Sequence, residues 1–332
     1  MSSHISRASK RLRIAQQPTA AGWMCNSCRR SFASTNRSMQ TPEQQRKEAE
    51  KTTHFGYETV AESLKASKVA TVFSSVASSY DTMNDLMSLG IHRLWKDHFV
   101  RGLNPGIRPS PSSSSTTPRE PQRILDIAGG TGDIALRMLD HATTLNRDTT
   151  AHVTVSDINP EMLAEGRKRL SSTPYAAANR ISFLEANAEN LHTVPDASID
   201  LYTVAFGIRN FTHKDAALRE AFRVLKPGGV FACLEFAPNL SNPLFNAVYK
   251  RWSFSAIPLI GQVVAADRDS YQYLVESIER FPKQEDWAGM IREAGFVVPG
   301  QGREGAGQGI GSEGWEDLSF GIAAIHKGVK PL

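Results

Sequence analysis

The residues best able to do chemistry in this chain begin with a glycine-rich loop. Residues 126–135 read Asp-Ile-Ala-Gly-Gly-Thr-Gly-Asp-Ile-Ala, and their second half satisfies the spacing G-x-G-x-x-A. Glycines at this spacing let the backbone turn tightly between a strand and a helix and approach a bound cofactor. The loop therefore predicts a cofactor site, with Gly130, Thr131 and Gly132 next to the ligand.

Neighbouring positions distinguish between possible cofactors, because the same loop design binds either a dinucleotide or S-adenosylmethionine. Asp126 lies in the strand before the loop, and the resulting D-x-x-G-G-x-G resembles the first motif of class I methyltransferases. Asp157 ends the next strand, where a carboxylate can accept hydrogen bonds from both ribose hydroxyls. Asn187 and Ala188 end a third strand, where an amide and a backbone N–H can meet the edge of adenine. These positions favour S-adenosylmethionine; a nicotinamide dehydrogenase and a bare tight turn are the alternatives.

The elements that must position these residues alternate between strands and helices. Strands are predicted at 123–128, 152–156, 181–185, 199–206, 230–235 and 318–326. Helices are predicted at 133–141, 160–170, 214–225 and 287–294, the second of them capped by Asn159 and followed by proline. This alternation predicts an α/β fold with a mostly parallel sheet covered by helices on both faces.

Longer motifs are similar to those of the ubiquinone/menaquinone biosynthesis C-methyltransferase family. Its two signatures are matched by Tyr-Asp-Thr-Met-Asn-Asp-Leu-Met-Ser-Leu-Gly-Ile-His-Arg-Leu-Trp-Lys at 80–96 and by Arg-Val-Leu-Lys-Pro-Gly-Gly at 223–229, with further matches at 206–210, 234–236 and 321–326. The resemblance covers about residues 70–330 except for two inserts. Ala205 departs from the pattern, because some relatives carry a serine there, so we expect no side-chain contact with the cofactor at that position.

The resemblance implies a class I S-adenosylmethionine-dependent methyltransferase fold, Rossmann-like, with a mostly parallel seven-stranded sheet, helices on both faces and an N-terminal helical cap. It also implies methylation of a ring carbon of a polyprenylated benzoquinol. Such a carbon is a weak nucleophile unless a flanking hydroxyl is ionised, so a group must remove or share that proton. Arg209, after the fourth strand, could stabilise the phenolate or hold a water; a surface ion pair is the alternative. No metal is expected, because the sulfonium already activates the methyl group.

Residues 69–101 are predicted to form the helical cap over the cofactor and the quinol. The candidate contact residues in it are Tyr80, Asp81, Asn84, His92 and Trp95. Tyr80 and Asp81 would order the methionine end of the cofactor. His92 is a second candidate proton acceptor, and a packed, hydrogen-bonded histidine is the alternative.

Residues 240–275 include the richest apolar stretch of the chain, interleaved with Lys250 and Arg251. Because a prenyl tail needs an apolar channel and access to a membrane, we expect this segment to wall the substrate pocket and to contact the membrane surface or a partner. A dimer interface or ordinary core is the alternative, so a homodimer stays open. A water-insoluble intermediate is best passed on locally, which favours a multi-subunit biosynthetic complex.

Residues 1–42 contain seven basic residues, eight serines and no acid, so the remaining chain carries a formal charge of −3 where the whole chain carries +4. The folded part is thus not basic, and no nucleic-acid partner is expected. The composition predicts a mitochondrial transit peptide and a peripheral location on the matrix side of the inner membrane; a basic tail that stays attached is the alternative. Cys25 and Cys28 lack further metal ligands, and without them only Cys233 is left, which excludes a disulfide within the chain.

The predicted organisation is a lead-in segment at 43–68 followed by the methyltransferase domain at 69–330. Low-complexity inserts at 108–121 and 299–314 interrupt the domain and are expected on its surface. Two other functions stay open: a catalytically silent scaffold subunit of a biosynthetic complex, and a methyltransferase acting on another lipid or aromatic compound. The intact glycine loop and acidic residues argue against the first, and the motif at 80–96 argues against the second.

Overall fold

The computed structural model describes residues 51–76, 90–106, 120–238, 268–298 and 314–332, together with isolated positions between them at 84, 85, 88, 246, 249, 251, 255 and 262. Several predictions fall outside the described residues. They are the transit peptide at 1–42, Tyr80 and Asp81 of the cap, nearly all of the two inserts, and most of the apolar segment at 240–275.

The described elements alternate along the chain much as predicted. The strands are β1 (Thr52–Phe55), β2 (Glu58–Ala61), β3 (Arg123–Ile127), β4 (His152–Asp157), β5 (Ile181–Glu185), β6 (Ile199–Ala205), β7 (Leu225–Phe236), β8 (Trp315–Leu318) and β9 (Ala323–Val329). The helices are α1 (Glu62–Val76), α2 (Ile91–Leu103), α3 (Asp133–Thr144), α4 (Pro160–Leu170), α5 (Pro174–Ala177), α6 (Lys214–Val224), α7 (Arg268–Glu279) and α8 (Gln284–Glu293). Short 3-10 helices span Ile208–Asn210 and Ser319–Gly321.

Seven of the strands form one sheet in the order β5-β4-β3-β6-β7-β9-β8. The five strands from β3 to β7 run parallel, and β9 pairs antiparallel with both β7 and β8. The chain steps outward from β3 to β5 and then returns to β6 on the other side of β3. Loops that leave β3 and β6 therefore diverge at the carboxyl edge, which is where open parallel sheets bind ligands.

Both faces of this sheet are buried, as expected for parallel strands that carry helices on each side. On one face Phe99 of α2 and Met138 of α3 pack into an apolar cluster with the strands. On the other face Leu218 of α6 and Trp287 of α8 do the same. The sheet is thus a rigid layer between two cores, and it fixes the positions of the loops at its edge.

The element boundaries near the glycine loop agree closely with the predictions. Helix α4 and strand β5 have the predicted bounds. The side chain of Asn159 caps α4 by accepting hydrogen bonds from the N–H groups of Glu161 at 2.9 Å and Met162 at 3.1 Å. Local sequence signals are sufficient here because the cap, the proline and the apolar spacing all indicate the same helix start.

Two predicted strands differ from the structure. Strand β7 begins at Leu225, not at residue 230, because Leu225 pairs with Ile199 ahead of an irregularity in the register. The strand predicted at 318–326 is wrong as a single element: β8 and β9 form an antiparallel pair joined by a 3-10 turn. Ser319 and Phe320 in that turn have positive φ angles of 49° and 64°, a conformation that residues other than glycine seldom adopt and that sequence periodicity does not reveal.

Strands and helices are found earlier in the chain than predicted. Residues Lys51–Leu332 form one compact unit, and most of the expected lead-in at 43–68 consists of the β1–β2 hairpin and the first turns of α1. Phe55 stacks on Tyr273 of α7 with 4.2 Å between ring centroids, which ties the hairpin to the rest of the fold. Within the ranges given above, no helix is both long and apolar enough to span a membrane.

The expected helical cap at 69–101 is divided between two different roles. Helix α2 packs into the core through Trp95 and Phe99, both buried, so most of this part of the segment is a layer of the domain. Helix α1 starts seven residues before the predicted cap, and its side chains are mostly half-buried or exposed. Residues 69, 70 and 73 of α1 and Lys96 of α2 line the cavity described below, as expected of a cap, whereas the rest of α2 packs into the core. The sequence does not separate these roles, because the apolar spacing of a packed helix and of a covering helix looks the same.

Candidate cofactor-binding site

A cavity of about 390 Å³ lies at the carboxyl edge of the sheet. One side of it, here called the sheet wall, is formed by residues at and beyond the carboxyl ends of β3, β4, β5 and β6, namely 126–131, 157–159, 186–189 and 205–213 without 208 and 209. The other side, here called the cover wall, is formed by six residues of α1 between Glu62 and Phe73. The cavity thus lies where the fold predicts a ligand.

The glycine loop packs directly against the strands and against α4. A Cβ atom on Gly129 would lie 2.8 Å from a methyl group of Val155 and 2.9 Å from the carbonyl oxygen of Asp126. Gly130 has a φ of 45°, and a Cβ on Gly166 of α4 would lie only 2.4 Å from the Gly130 carbonyl oxygen. Because no side chain fits at Gly129 or at Gly166, the loop packs closely between the strands and α4, and its backbone lines the cavity together with Thr131.

Asp157 joins the second strand to this loop. Its Oδ2 accepts a hydrogen bond from the N–H of Gly130 at 3.1 Å, and its Oδ1 accepts one from the N–H of Asn159 at 2.9 Å. Burial raises the pKa of Asp157 to about 6, although these backbone hydrogen bonds oppose the shift. Each oxygen can accept further hydrogen bonds, so the carboxylate can receive the two hydroxyls of a ribose.

Asp126 provides the clearest test of what the cavity fits. The hydroxyl of Thr203 donates to its Oδ1 at 2.8 Å, but its Oδ2 is buried and finds no partner among the described residues. Burial above all, with the nearby carboxylates of Asp133 and Asp157, raises the pKa of Asp126 to about 7 against the opposing effect of Thr203. A buried acceptor without a donor is unfavourable. A cationic ligand with ammonium donors, such as S-adenosylmethionine, fits this wall.

An ion pair that sequence reasoning missed lies beside Asp126. Asp133 begins α3 and accepts hydrogen bonds from Lys96 at 2.9 Å, Arg137 at 3.3 Å and Arg169 at 3.2 Å. Burial favours the neutral acid, but these three cations outweigh it and lower the pKa of Asp133 to about 2. Lys96 and Asp133 both line the cavity, so it presents both signs of charge, as the zwitterionic end of an amino acid requires.

Most of the predicted cofactor residues come together in the sheet wall. Those that line the cavity are Asp126, Gly130, Thr131, Asp157, Asn187 and Ala188. Gly132 does not: it precedes α3 with a φ of 76°, and a Cβ there would lie 2.4 Å from Leu170. Its place in the fold is therefore a packing position behind the loop. Asn187 holds its own turn, because its Oδ1 accepts the N–H of Glu189 at 2.9 Å.

Arg209 does not line the cavity. Its guanidinium is buried and donates to Glu235 Oε1 at 2.8 Å, to the Phe206 carbonyl oxygen at 2.5 Å and to Ser277 Oγ at 3.2 Å. The Glu235 carboxylate also accepts the backbone N–H of Arg209 at 3.3 Å. The alternative of a surface ion pair is therefore wrong, since the pair is buried and holds the turn after β6. A direct role for Arg209 on substrate stays a prediction.

His92, Trp95 and Asn84 also lie away from the cavity wall. His92 Nδ1 is 2.8 Å from the hydroxyl of Ser88, and burial together with the charge of Lys96 lowers the pKa of His92 to about 4. Trp95 donates from its indole N–H to Ser319 Oγ at 2.9 Å. The Ser88 hydroxyl donates to the backbone carbonyl oxygen of Asn84 at 2.7 Å. The packed, hydrogen-bonded histidine of the alternative is the arrangement found.

The cap was expected to begin at residue 69, so its earlier cavity residues Ser63 and Ala66 were missed, and so was Asn210. Helix α1 places Ser63, Ala66, Val69, Ala70 and Phe73 along the cavity. Their spacing is that of one helix face, so a stripe of mostly small residues was the available signal. Asn210 also lines the cavity, and the hydroxyl of Tyr273 donates to its Oδ1 at 2.9 Å, which fixes the orientation of the amide.

The sheet order, the glycine loop and the acids at the ends of β3 and β4 together define the class I S-adenosylmethionine-dependent methyltransferase fold. A crystal structure described as the [4+2]-cyclase SpnF has the same fold, with a TM-score of 0.50, 16% identity, and coverage of 80% of this chain and 95% of the other. At that identity the likeness shows the fold alone.

Residues 61–330 match the family model described as the ubiE/COQ5 methyltransferase family, and this chain belongs to that family. It is 53% identical to "2-methoxy-6-polyprenyl-1,4-benzoquinol methylase, mitochondrial" from Schizosaccharomyces pombe, with coverage of 84% of each chain. It is 47% identical to "Ubiquinone/menaquinone biosynthesis C-methyltransferase UbiE" from Brucella anthropi, covering 83% of this chain and 92% of the relative. Membership of this family implies the use of S-adenosylmethionine.

Proposed function

We propose that this chain methylates a ring carbon of a polyprenylated methoxy-benzoquinol in ubiquinone biosynthesis, with S-adenosylmethionine as methyl donor. The names of the relatives at 44–53% identity support this activity. The observation that carries the cofactor assignment is the buried, unpartnered Oδ2 of Asp126 in the sheet wall. This oxygen needs a hydrogen-bond donor from a ligand, and it lies beside a second acid and the glycine loop.

Different residues of the cavity would bind different parts of the cofactor, according to their chemistry. Asp157 would accept the ribose hydroxyls, and the turn at Asn187 and Ala188 would meet adenine. Asp126 would accept the α-ammonium group, and Lys96 would face the α-carboxylate. When bound, the cofactor supplies a methyl group that is already activated by its sulfonium. The chain's own task is then to align the two reactants and to hold charge at fixed positions.

The substrate hydroxyl must lose or share a proton before the ring carbon can react. Asn210 is the polar side chain best placed to hold a substrate oxygen, because its amide lines the cavity with a fixed orientation. Arg209 stays our candidate for stabilising the phenolate, from behind the turn that carries Asn210. His92 is the weaker candidate, since its pKa of about 4 makes it a poor base near neutral pH.

Relatives named mitochondrial in fission yeast, rice, fly and worm support a mitochondrial location. The acid-free composition of residues 1–42 supports a transit peptide. A position on the matrix side of the inner membrane is the finer part of the proposal, with residues 240–275 in peripheral contact with the lipid surface and the tail of the substrate. Association with other enzymes of quinone biosynthesis would follow from the insolubility of the substrate.

The test is calorimetric titration of the full chain with S-adenosylmethionine and, separately, with NADH. We expect S-adenosylmethionine alone to bind, and Asp157→Ala to weaken binding about 100-fold or more, because charged hydrogen bonds to a ribose are lost. Glu185→Ala is the matched control, since Glu185 pairs with Asp157 in the sheet register but is exposed and outside the cavity. Mass spectrometry then follows methylation of a short-tailed reduced methoxy-benzoquinol. Absence of cofactor binding in the folded chain would overturn the proposal.

A further inference from the structure

On the proposed function of binding S-adenosylmethionine, we infer that α1 is a lid over the cofactor cavity and that Asn159 and Lys65 are positioning residues that latch it. Helix α1 forms the cover wall, so a ligand in the cavity contacts this helix as well as the sheet wall. The two latches lie towards opposite ends of the helix and attach it to two different loops of the sheet wall.

Helix α1 is weakly packed for an element of this length. Among its described side chains only Lys65 is buried, while Leu64 is 53% exposed. An isolated helix of 15 residues is marginal in water, and an element with little buried apolar surface opens locally at low free energy. Because apolar burial contributes little here, the polar contacts of α1 decide how long the helix stays closed over the cavity.

The first latch is the amide of Asn159. Its Nδ2 donates to the carbonyl oxygen of Ala70 at 3.1 Å and to Ser74 Oγ at 3.1 Å, while its Oδ1 caps α4. The Ser74 hydroxyl in turn donates to the carboxylate of Glu161. Serine, threonine and aspartate cap helices about as well as asparagine, but only the amide adds an NH₂ group that can reach a second helix. The residue type therefore fits a latch better than a cap alone.

Asn159 also links the lid to the ribose-binding acid. Its backbone N–H donates to Asp157 Oδ1 at 2.9 Å, and its side chain holds α1. The Asp157 carboxylate is thus connected to α1 through a single residue, Asn159. We expect the closed position of α1 to be more persistent when the cavity holds a ligand.

The second latch is Lys65. Its buried ammonium donates to the carbonyl oxygen of Phe211 at 3.2 Å, and Lys214 donates to the same oxygen at 3.1 Å. Phe211 and His213 belong to the sheet wall, and His213 also lies 3.3 Å from Glu62 at the start of α1. Burying an ammonium is unfavourable unless it is paired, and it lowers the pKa of Lys65. An apolar side chain would pack there without that penalty, so the lysine is best explained by its contact with the loop.

The decisive experiment compares Asn159→Ser with Asn159→Ala in the full chain. Hydrogen exchange of residues 62–76 is measured by mass spectrometry without ligand, and release of radiolabelled S-adenosylhomocysteine is measured in a chase. We expect both variants to exchange and release about tenfold faster, as for the loss of one to two hydrogen bonds. Thermal stability should fall clearly only for Asn159→Ala, which also loses the cap. If Asn159→Ser behaves like the unmodified chain in both measurements, the latch is refuted and Asn159 is only a cap.

A second pair of variants tests the other latch. Lys65→Met should accelerate exchange in the first turns of α1 about fivefold to tenfold. Lys68→Met is the matched control, because Lys68 lies one turn further along α1, where it pairs with Glu58 of β2 at 2.7 Å and lies over the ring of Phe55 in β1. Equal exchange in the two variants would refute a latch at Lys65. Failure of every form to bind S-adenosylhomocysteine would overturn the proposed function, while exchange in the ligand-free chain would still decide whether α1 is a latched lid.

Discussion

The two walls of the cavity are built from different kinds of interaction. In the sheet wall Asp126 is 1% exposed and Asp157 is half-buried, and both belong to strands that are covered on both faces. In the cover wall α1 is mostly half-buried or exposed and is attached by side-chain hydrogen bonds. A rigid wall can hold charges at fixed positions, whereas a weakly packed wall can open to admit a ligand. The sheet wall therefore determines the binding geometry, and the cover wall controls access to the cavity.

The largest effect we predict is directly behind the sheet wall, at the buried pair of Arg209 and Glu235, whose side chains are 3% and 1% exposed. Glu235→Gln leaves the guanidinium buried without a countercharge, and we expect the free energy of unfolding to fall by about 3–5 kcal/mol. Urea unfolding measures this loss. Because Glu235 also holds the turn that carries Asn210, cofactor binding by the remaining folded protein should be measured alongside.

An exposed ion pair provides the control for this prediction. Asp215 and Arg219 form a pair at 2.8 Å on the surface of α6, with side chains 58% and 65% exposed. We expect Asp215→Asn to change the free energy of unfolding by less than about 0.5 kcal/mol, because water screens such pairs. Similar losses at the two sites would show that burial does not distinguish them, and the description of the sheet wall as the rigid one would fail.

The second prediction concerns Asp126, whose pKa rises from an ordinary value of 3.8 to about 7 in the folded chain, mainly through burial. Between these values the folded state keeps a proton that the unfolded state has released, so stability falls as the pH rises. Asp126→Asn removes this effect. Without ligand we expect the variant to be similar to the unmodified chain near pH 4 and more stable by up to about 4 kcal/mol above pH 7.

Urea unfolding at pH 4.5 and pH 8 checks the sign, and calorimetry checks the functional consequence. The same substitution should weaken binding of S-adenosylmethionine, because the ionised carboxylate is the acceptor that the ligand needs. If Asp126→Asn is more stable and binds S-adenosylmethionine less well, the carboxylate of Asp126 serves ligand binding at a cost in stability. An unchanged dependence of stability on pH would contradict the raised pKa.

The same division between the walls explains what the sequence could predict. Strands β3 to β6, the glycine loop, Asp126, Asp157 and the turn at Asn187 depend on periodicity, on caps and on glycine spacing, all of which are local. The contact between Lys65 and Phe211 joins residues 146 positions apart, and that between Asn159 and Ala70 joins residues 89 apart. A single sequence gives no signal for such pairs, so α1 was expected to start later and to differ little from α2.

The sequence also did not show which charged side chains are buried. Arg209 was expected either at the substrate or at the surface, and it forms a buried pair with a residue of β7. Lys96 lies in the motif at 80–96, but nothing in the motif shows that it faces Asp133. The sequence pattern indicates which residues a helix or strand presents to its neighbours, and the partners are decided only when distant elements pack.

The smallest effect we predict separates two glycines that both lie inside helices. Gly166 of α4 faces the glycine loop, where a Cβ would lie 2.4 Å from the Gly130 carbonyl oxygen, whereas the nearest heavy atom to a Cβ on Gly289 of α8 is 3.9 Å away, on Arg292. Gly166→Ala must displace the loop backbone, so we expect a loss of about 1–3 kcal/mol in the free energy of unfolding and weaker cofactor binding. Gly289→Ala should gain about 0.5–1 kcal/mol through helix propensity. Urea unfolding and calorimetry measure both. A Gly166→Ala protein as stable and as competent in binding as Gly289→Ala would mean that the loop yields easily, and the sheet wall would then be no more rigid than the helix that covers it.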